Sequence, residues 1–160
     1  MRDKLIVVFD TNIFLQALGG KSTSPAARCL DYFEQRKIVI GISHDTLEEI
    51  EEVLSRTRIR QKHPLLTDEK INDFLDRLVY RGIYVRQVRQ YFAYPRDPDD
   101  EPYINLAIEV AADYLVSRDN DLLDLMKWDQ ETSREFQKRF RTLRIVTPEE
   151  FLRVMEQSVP

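Results

Sequence analysis

Short runs of Val, Ile and Leu, separated by segments with apolar residues at helical spacing, predict an α/β fold. Two observations carry this. Leu5–Phe9 and Ile38–Ile42 are unbroken apolar runs, the pattern of strands buried on both faces rather than on one. Between successive strand candidates lies a stretch that reads as helix, as parallel strands need for their crossovers. The expected architecture is a largely parallel sheet of about five strands, with helices on both faces. At 160 residues the chain is long enough for one domain with a real core and too short to expect two, so residues 1–160 are expected to form one domain.

After the first strand, Asn12 to Leu18 reads as a short helix stopped by Gly19-Gly20. Ser24-Pro25 supplies an N-cap and first-turn pair for a helix running to about Arg36. Ile38–Ile42 is the second strand. Ser43 or Asp45 then caps a helix carrying Leu47, Ile50 and Leu54 at helical spacing. A basic, proline-broken segment, Arg56 to Pro64, leads to Thr67, which caps a helix with Ile71, Phe74, Leu75, Leu78 and Val79 on its apolar face. Gly82 ends that helix and Ile83–Val85 begins a third strand. A turn-rich loop from Tyr94 to Pro102 holds three prolines and four acids. Ile104, Ala107, Ile108 and Ala111 mark a helix, Tyr114–Ser117 a fourth strand, Asn120–Lys127 a short helix and Arg144–Val146 a fifth strand. Thr147-Pro148-Glu149-Glu150 opens a last helix whose Phe151, Leu152 and Met155 are placed to pack.

Composition narrows the function classes. An apolar fraction of 42% and a charged fraction of 32% are those of an ordinary soluble globular protein. Leu5–Phe9 is too short to span a bilayer, and Asp10 interrupts it at once, so neither a membrane segment nor a secretory signal is expected. Cys29 is the single cysteine; no intramolecular disulfide can form, and a cytoplasmic site is the expectation. Its neighbours Ala26, Leu30 and Phe33 make it a core residue rather than a nucleophile. A net charge of −4 argues against charge-driven nucleic-acid binding by the whole surface, but not against an enzyme with an acidic site and local substrate contacts.

In open parallel sheets, ligands bind beyond the carboxyl ends of the strands. Asp10-Thr11-Asn12 follows the first strand and Arg118-Asp119-Asn120-Asp121 the fourth, while Asp99-Asp100 precedes the helix that leads into the fourth. Singly, each has an ordinary structural reading. Asp10 and Asp119 can cap the helices that follow them, and Asp97 to Asp100 can form a solvated turn. Together they bring mutually repelling carboxylates near one edge, and hard cations such as Mg²⁺ or Mn²⁺ relieve that repulsion.

The strings VVFDTNIFLQAL, GISHDTLEEIEEVLSR and RDPDDEPYINLAIEVAADYLVSRDNDLLDL resemble the PIN domain nucleases, and most closely the subgroup of VapC-type toxin components of toxin–antitoxin systems. The resemblance runs from Leu5 to about Leu152. It implies a three-layer α/β/α sandwich and a metal-dependent endoribonuclease. The family's metal-binding acids fall on Asp10, Glu49, Asp100 and Asp119, with Thr11, Asn12, Ser117 and Asp121 as supporting residues around one or two Mg²⁺ or Mn²⁺ ions. Periodicity alone does not choose Glu49 over Glu51; the resemblance does. Asp99 and Glu101 remain alternatives to Asp100. The small residue usual before the last aspartate is here Arg118, which either contacts phosphate or obstructs the site.

The resemblance further implies an RNA substrate, an antitoxin partner that blocks the groove, and a homodimer. Arg56, Arg58, Arg60 and Lys62 form the densest basic stretch and, with Arg118, are the candidates for nucleic-acid contact. Arg77, Arg81, Arg86 and Arg89 add cations, and Tyr91, Phe92 and Tyr94 offer stacking surfaces unless they belong to the core. His44 and His63 show no zinc-ligand spacing. The alternatives are a related metal-dependent nuclease acting on DNA and a PIN-fold nucleic-acid-binding module with impaired catalysis. An aspartyl phosphotransferase is disfavoured by Asn at position 12, and a dinucleotide binder by the lack of a glycine-rich loop after the first strand.

Overall fold

Along β1 (Leu5–Phe9), Ile6 and Val8 pack into one hydrophobic cluster and Val7 and Phe9 into another, and all are buried. Such a strand needs cover on both sides. The computed structural model describes residues 4–157. Within them β2 (Ile38–Ser43), β3 (Ile83–Val85), β4 (Tyr114–Val116) and β5 (Arg144–Val146) join β1 in an all-parallel sheet of order β3-β2-β1-β4-β5.

The helices are α1 (Thr11–Gly19), α2 (Pro25–Glu34), α3 (His44–Ser55), α4 (Thr57–Lys62), α5 (Asp68–Arg81), α6 (Glu101–Glu109), α7 (Asn120–Leu123), α8 (Glu131–Arg139) and α9 (Pro148–Gln157). Ile13 and Phe14 of α1, Phe33 of α2, Ile50 of α3, Phe74 of α5 and Phe151 of α9 cover the Val7/Phe9 face. Ile104 of α6, Leu122 of α7 and Phe136 of α8 cover the Ile6/Val8 face. The result is the expected three-layer α/β/α sandwich. Gly41 of β2 lets the second layer close: a Cβ there would stand 2.8 Å from Val110 Cγ2, just past α6.

The chain runs outward from β1 to β2 and β3, then returns to place β4 on the other side of β1. The carboxyl ends of β1 and β4 therefore flank the point where the winding reverses, the usual ligand crevice of such sheets. Phe9 lies in register with Val116, and Asp10 N–H donates to the Val116 carbonyl at 3.2 Å. Asp10 and Ser117 are thus neighbours across the two strands.

Several expectations are corrected. Arg56 to Pro64 is not a plain loop; it contains α4, held by Arg60, which donates to the carbonyls of Leu54 (2.7 Å) and Leu66 (3.0 Å) and pairs with Asp68. α8 was not anticipated, because only Phe136 gives its charged sequence a deeply buried apolar anchor. The helix expected over Asn120–Lys127 ends at Leu123 and passes into a 3-10 turn, Asp124–Met126. Val79 is 41% exposed rather than core, Ala111 lies beyond α6 with φ of 53°, and β4 stops at Val116. Phe92 and Tyr94 are buried against Phe136 and its neighbours, so they are core aromatics and not stacking surfaces. Cys29 is fully buried and burial pushes its thiol up to about 12, which leaves it unreactive. No helix among the described residues is long and apolar enough to cross a membrane.

Candidate metal centre

Where β1 ends, Asp10 serves two partners at once. One carboxylate oxygen, Oδ1, accepts from Ile13 N–H at 3.1 Å and caps α1. The other, Oδ2, accepts a short hydrogen bond from the Ser117 hydroxyl. Ser117 is fully buried, and its Oγ also accepts from Asp119 N–H at 2.9 Å. One serine thus ties the acid after β1 to the acid after β4. Burial raises the Asp10 pKa, and the charge of Asp119 adds to this; Ser117 and the amides of Ile13 and Asn12 oppose it. The capping role expected as an alternative for Asp10 coexists with its place at the sheet edge.

Asp119 likewise caps its helix, its Oδ1 accepting from Asp121 N–H at 2.9 Å. Carboxylate oxygens of Asp97, Asp100, Asp119 and Asp121 all lie within 4.8 Å of one another. Asp100 stands at the N-cap position of α6 yet makes no capping bond, and its Oδ2 is buried without any hydrogen-bond partner. A buried carboxylate with an orphaned oxygen, in a cluster with three other acids, is costly unless a proton or a cation joins it. Burial, reinforced by Asp119 and Asp97, accordingly pushes the Asp100 carboxyl up to about 9. At an effective dielectric of about 20, each ionised pair at such separations costs about 3 kcal/mol. A divalent cation fits this donor set: hard oxygens, converging, with one already stripped of other partners.

The loop that delivers Asp100 is held from several sides. Asp97 Oδ1 accepts from the amides of Asp99 (3.1 Å) and Asp100 (3.2 Å), closing the turn. Buried Asn105 of α6 accepts from Tyr91 and Phe92 N–H and donates to the carbonyls of Phe92 and Glu101. Arg96 bridges Asp121 and Asp124, at 2.7 Å each, and so pins the loop to α7. Among the neighbouring acids, Asp99 is exposed, while Glu101 accepts from Tyr94 N–H at 2.7 Å. Asp100 is the member of that run that enters the cluster.

Glu49 sits apart from these four aspartates, on α3. Tyr103 of α6, only 3% exposed, donates its hydroxyl to Glu49 Oε2, and the same hydroxyl shares a short hydrogen bond with Thr11 Oγ1. Burial, with Glu49 beside it, raises the Tyr103 pKa, so the phenol stays protonated as a donor. Glu49 and Glu51 are both exposed, and the Tyr103 hydrogen bond is what distinguishes Glu49. Asn12 is exposed at the start of α1. The structure therefore brings together Asp100, Asp119 and Asp121, adds Asp97, links Asp10 to them through Ser117, and leaves Glu49 reaching the site through Tyr103 and Thr11.

The candidate nucleic-acid residues separate into two kinds. Arg56 is bidentate to Glu52 on its own helix, and Arg60 is consumed by the carbonyls that hold α4. Arg58 is exposed on α4. Lys62 and Arg118 line one groove with Gln16 and His63. Arg118 turns toward α9: its guanidinium donates twice to Glu149, at 3.0 and 2.5 Å, and once to Gln16 at 3.2 Å.

Tyr103, Arg96, Asn105 and Asp97 were not singled out from sequence. Asp97 and Arg96 had a visible signal, the RDPDD string that contains both, but nothing in it showed that Arg96 would reach Asp121 and Asp124. The family described as PIN domain matches residues 6–121, a span that contains every acid of the cluster and Glu49. No curated protein and no solved structure matches the chain.

Proposed function

Because the chain belongs to the PIN domain family, whose members are in general metal-dependent nucleases, we propose that it is an endoribonuclease dependent on Mg²⁺ or Mn²⁺. The observation that carries this reading is the Asp100 carboxyl, which has a buried, unpartnered Oδ2 and clusters with Asp97, Asp119 and Asp121 at the winding reversal of the sheet. Asp10, Glu49, Asp100 and Asp119 are the proposed ligands of one or two ions, with Asp97 added from the geometry. Bound there, a divalent ion supplies Lewis acidity at the phosphoryl oxygens and lowers the pKa of an attacking water.

The chain's own residues provide the positioning. Ser117 sets the Asp10 carboxylate and the Asp119 backbone together, so the acids of β1 and β4 move as one. Tyr103 and Thr11 hold Glu49 toward the edge. Arg96 neutralises part of Asp121, which suits Asp121 to support rather than direct ligation. With Arg118 held by Glu149 and Gln16, the substitution at that position leaves the acids open, which supports an active enzyme over an impaired binding module.

The toxin role, the antitoxin partner, the homodimer, the cytoplasmic location and the single-domain organisation of residues 1–160 are proposed on the resemblance and the composition. The test is cleavage of labelled single-stranded RNA and DNA with Mg²⁺, Mn²⁺ or EDTA, alongside Asp10→Asn and Asp100→Asn. Metal-dependent RNA cleavage lost in both variants is expected. Cleavage that ignores EDTA or survives both substitutions refutes the metal assignment, and preference for DNA corrects the substrate. Growth arrest on induced expression, absent for Asp119→Asn, is the expected sign of a toxin.

A further inference from the structure

Beyond the family-matched span, α8 and the turns on either side of it build a second feature with its own chemistry. A groove of about 490 Å³ is lined by Trp128, Met126 and Phe140 together with Lys138, Arg141 and Arg144. No Asp or Glu lines it, although the chain as a whole carries a net charge of −4. Trp128 is 56% exposed, which leaves its indole accessible at the groove. The Lys138 ammonium stands 5.7 Å from the indole centroid. All three cations are exposed, and no ion pair joins any of them to an acid among those found in the described residues.

Aromatic faces interleaved with unpaired cations are what an unpaired polynucleotide strand requires: bases stack on the rings and phosphates meet the charges. An acidic peptide would use the cations but has no need of an exposed indole beside them. Arg144 opens β5 in register with Tyr114, at the amino end of the strands, whereas Asp119 lies past their carboxyl end. By strand rise the groove and the acids are about 15 Å apart. We propose that this groove is a binding site for single-stranded nucleic acid, separate from the metal centre, which holds a flanking segment of the strand to be cut.

The inference rests on the nucleic-acid reading above, and it has its own readout. Trp128 is the only tryptophan of the chain, so its emission reports on this groove. The full chain is titrated in EDTA with a uridine dodecamer and, separately, with its thymidine deoxy counterpart. Saturable quenching by either strand is expected, and the ratio of the two affinities assigns RNA or DNA. With three phosphate contacts, the logarithm of affinity should fall against the logarithm of salt with a slope of about −2. The variant K138Q/R141Q/R144Q should lose most of that slope. Trp128→Leu, followed by anisotropy of a labelled oligomer, should bind roughly ten- to a hundredfold more weakly. Circular dichroism verifies that both variants fold.

The quenching is read in EDTA, without cleavage, so failure of the unsubstituted protein to cut any strand while quenching persists removes the nuclease reading and keeps this one. Oligomer binding that leaves Trp128 emission and the salt slope untouched overturns the groove. Emission that changes with protein concentration alone assigns the surface to a second copy of the chain and also overturns it.

Discussion

Replacing Asp100 by Asn should stabilise the metal-free protein, and by more the higher the pH. The Asp100 side chain is nearly buried, its Oδ2 is unpartnered, and its pKa rises from 3.8 to about 9 through burial and the charges of Asp119 and Asp97. Between those two values the folded chain holds a proton that the unfolded chain has released. The stability tied to this group is therefore complete below the unfolded pKa and is lost as pH rises toward the folded one. For one proton the slope is at most about 1.4 kcal/mol per pH unit, or about 4 kcal/mol across three units. In a protein of this size each kcal/mol moves Tm by about 2–4 °C. Asn carries no such proton, so the variant should lack this component of the slope. The assay is thermal or urea denaturation of both proteins in EDTA, followed by circular dichroism from about pH 5 to about pH 8. The gap should widen with pH in favour of Asn. Saturating Mn²⁺ should then narrow or reverse it, since an ion at a hundredfold excess over its Kd adds about 2.7 kcal/mol to the protein that binds it. Parallel pH curves in EDTA, or equal gains from Mn²⁺ in both proteins, would refute the electrostatic account of the cluster.

Other perturbations address the supporting residues. Ser117→Ala removes the link between Asp10 and Asp119 and should reduce cleavage or metal affinity about 10- to 100-fold while costing about 1–3 kcal/mol of stability; unchanged Mn²⁺ binding by calorimetry would contradict it. Tyr103→Phe frees Glu49 and Thr11, so apparent metal affinity should shift by at least several-fold with the fold preserved; identical titrations of variant and parent would show that Glu49 needs no such tether. Arg118→Ala breaks a half-exposed pair with Glu149 worth no more than about 1 kcal/mol, and should leave the cleavage rate within about threefold. A large loss would mean that Arg118 turns from Glu149 to the substrate.

The strands and the acids that follow them were legible because they obey local rules. Val7 to Phe9 and Ile40 to Ile42 read as doubly buried strands, and a residue that caps the next helix must stand where Asp10 and Asp119 stand. Of the two caps that the sequence offers α3, Ser43 and Asp45, Ser43 is the one used, with Thr46 completing a capping box. What escaped depends on distant partners. Tyr103 meets Glu49 across 54 positions of sequence, and Arg96 meets Asp121 across 25, so no window of periodicity contains either pair. Asn105 looks like a polar interruption in an apolar helix until its four hydrogen bonds, three of them to the backbone of Tyr91 and Phe92, are known. α4 and α8 were missed for a related reason. α4 buries no residue, and α8 buries only Ser133 and Phe136, so the apolar stripe that marks a helix is missing or too thin.

The winding order of the sheet has a temporal consequence. Asp10 and Ser117 are 107 residues apart in the chain yet share one hydrogen bond. A ribosome-bound product of about half length would carry Asp10 and Glu49 but neither Asp100 nor Asp119, and would have no assembled cluster. The complete set of acids exists only after β4 has been synthesised and has docked beside β1. Cleaving the backbone once between β3 and Asp97 would divide the same acids between two pieces, each silent alone, so that activity would report the meeting of the two halves.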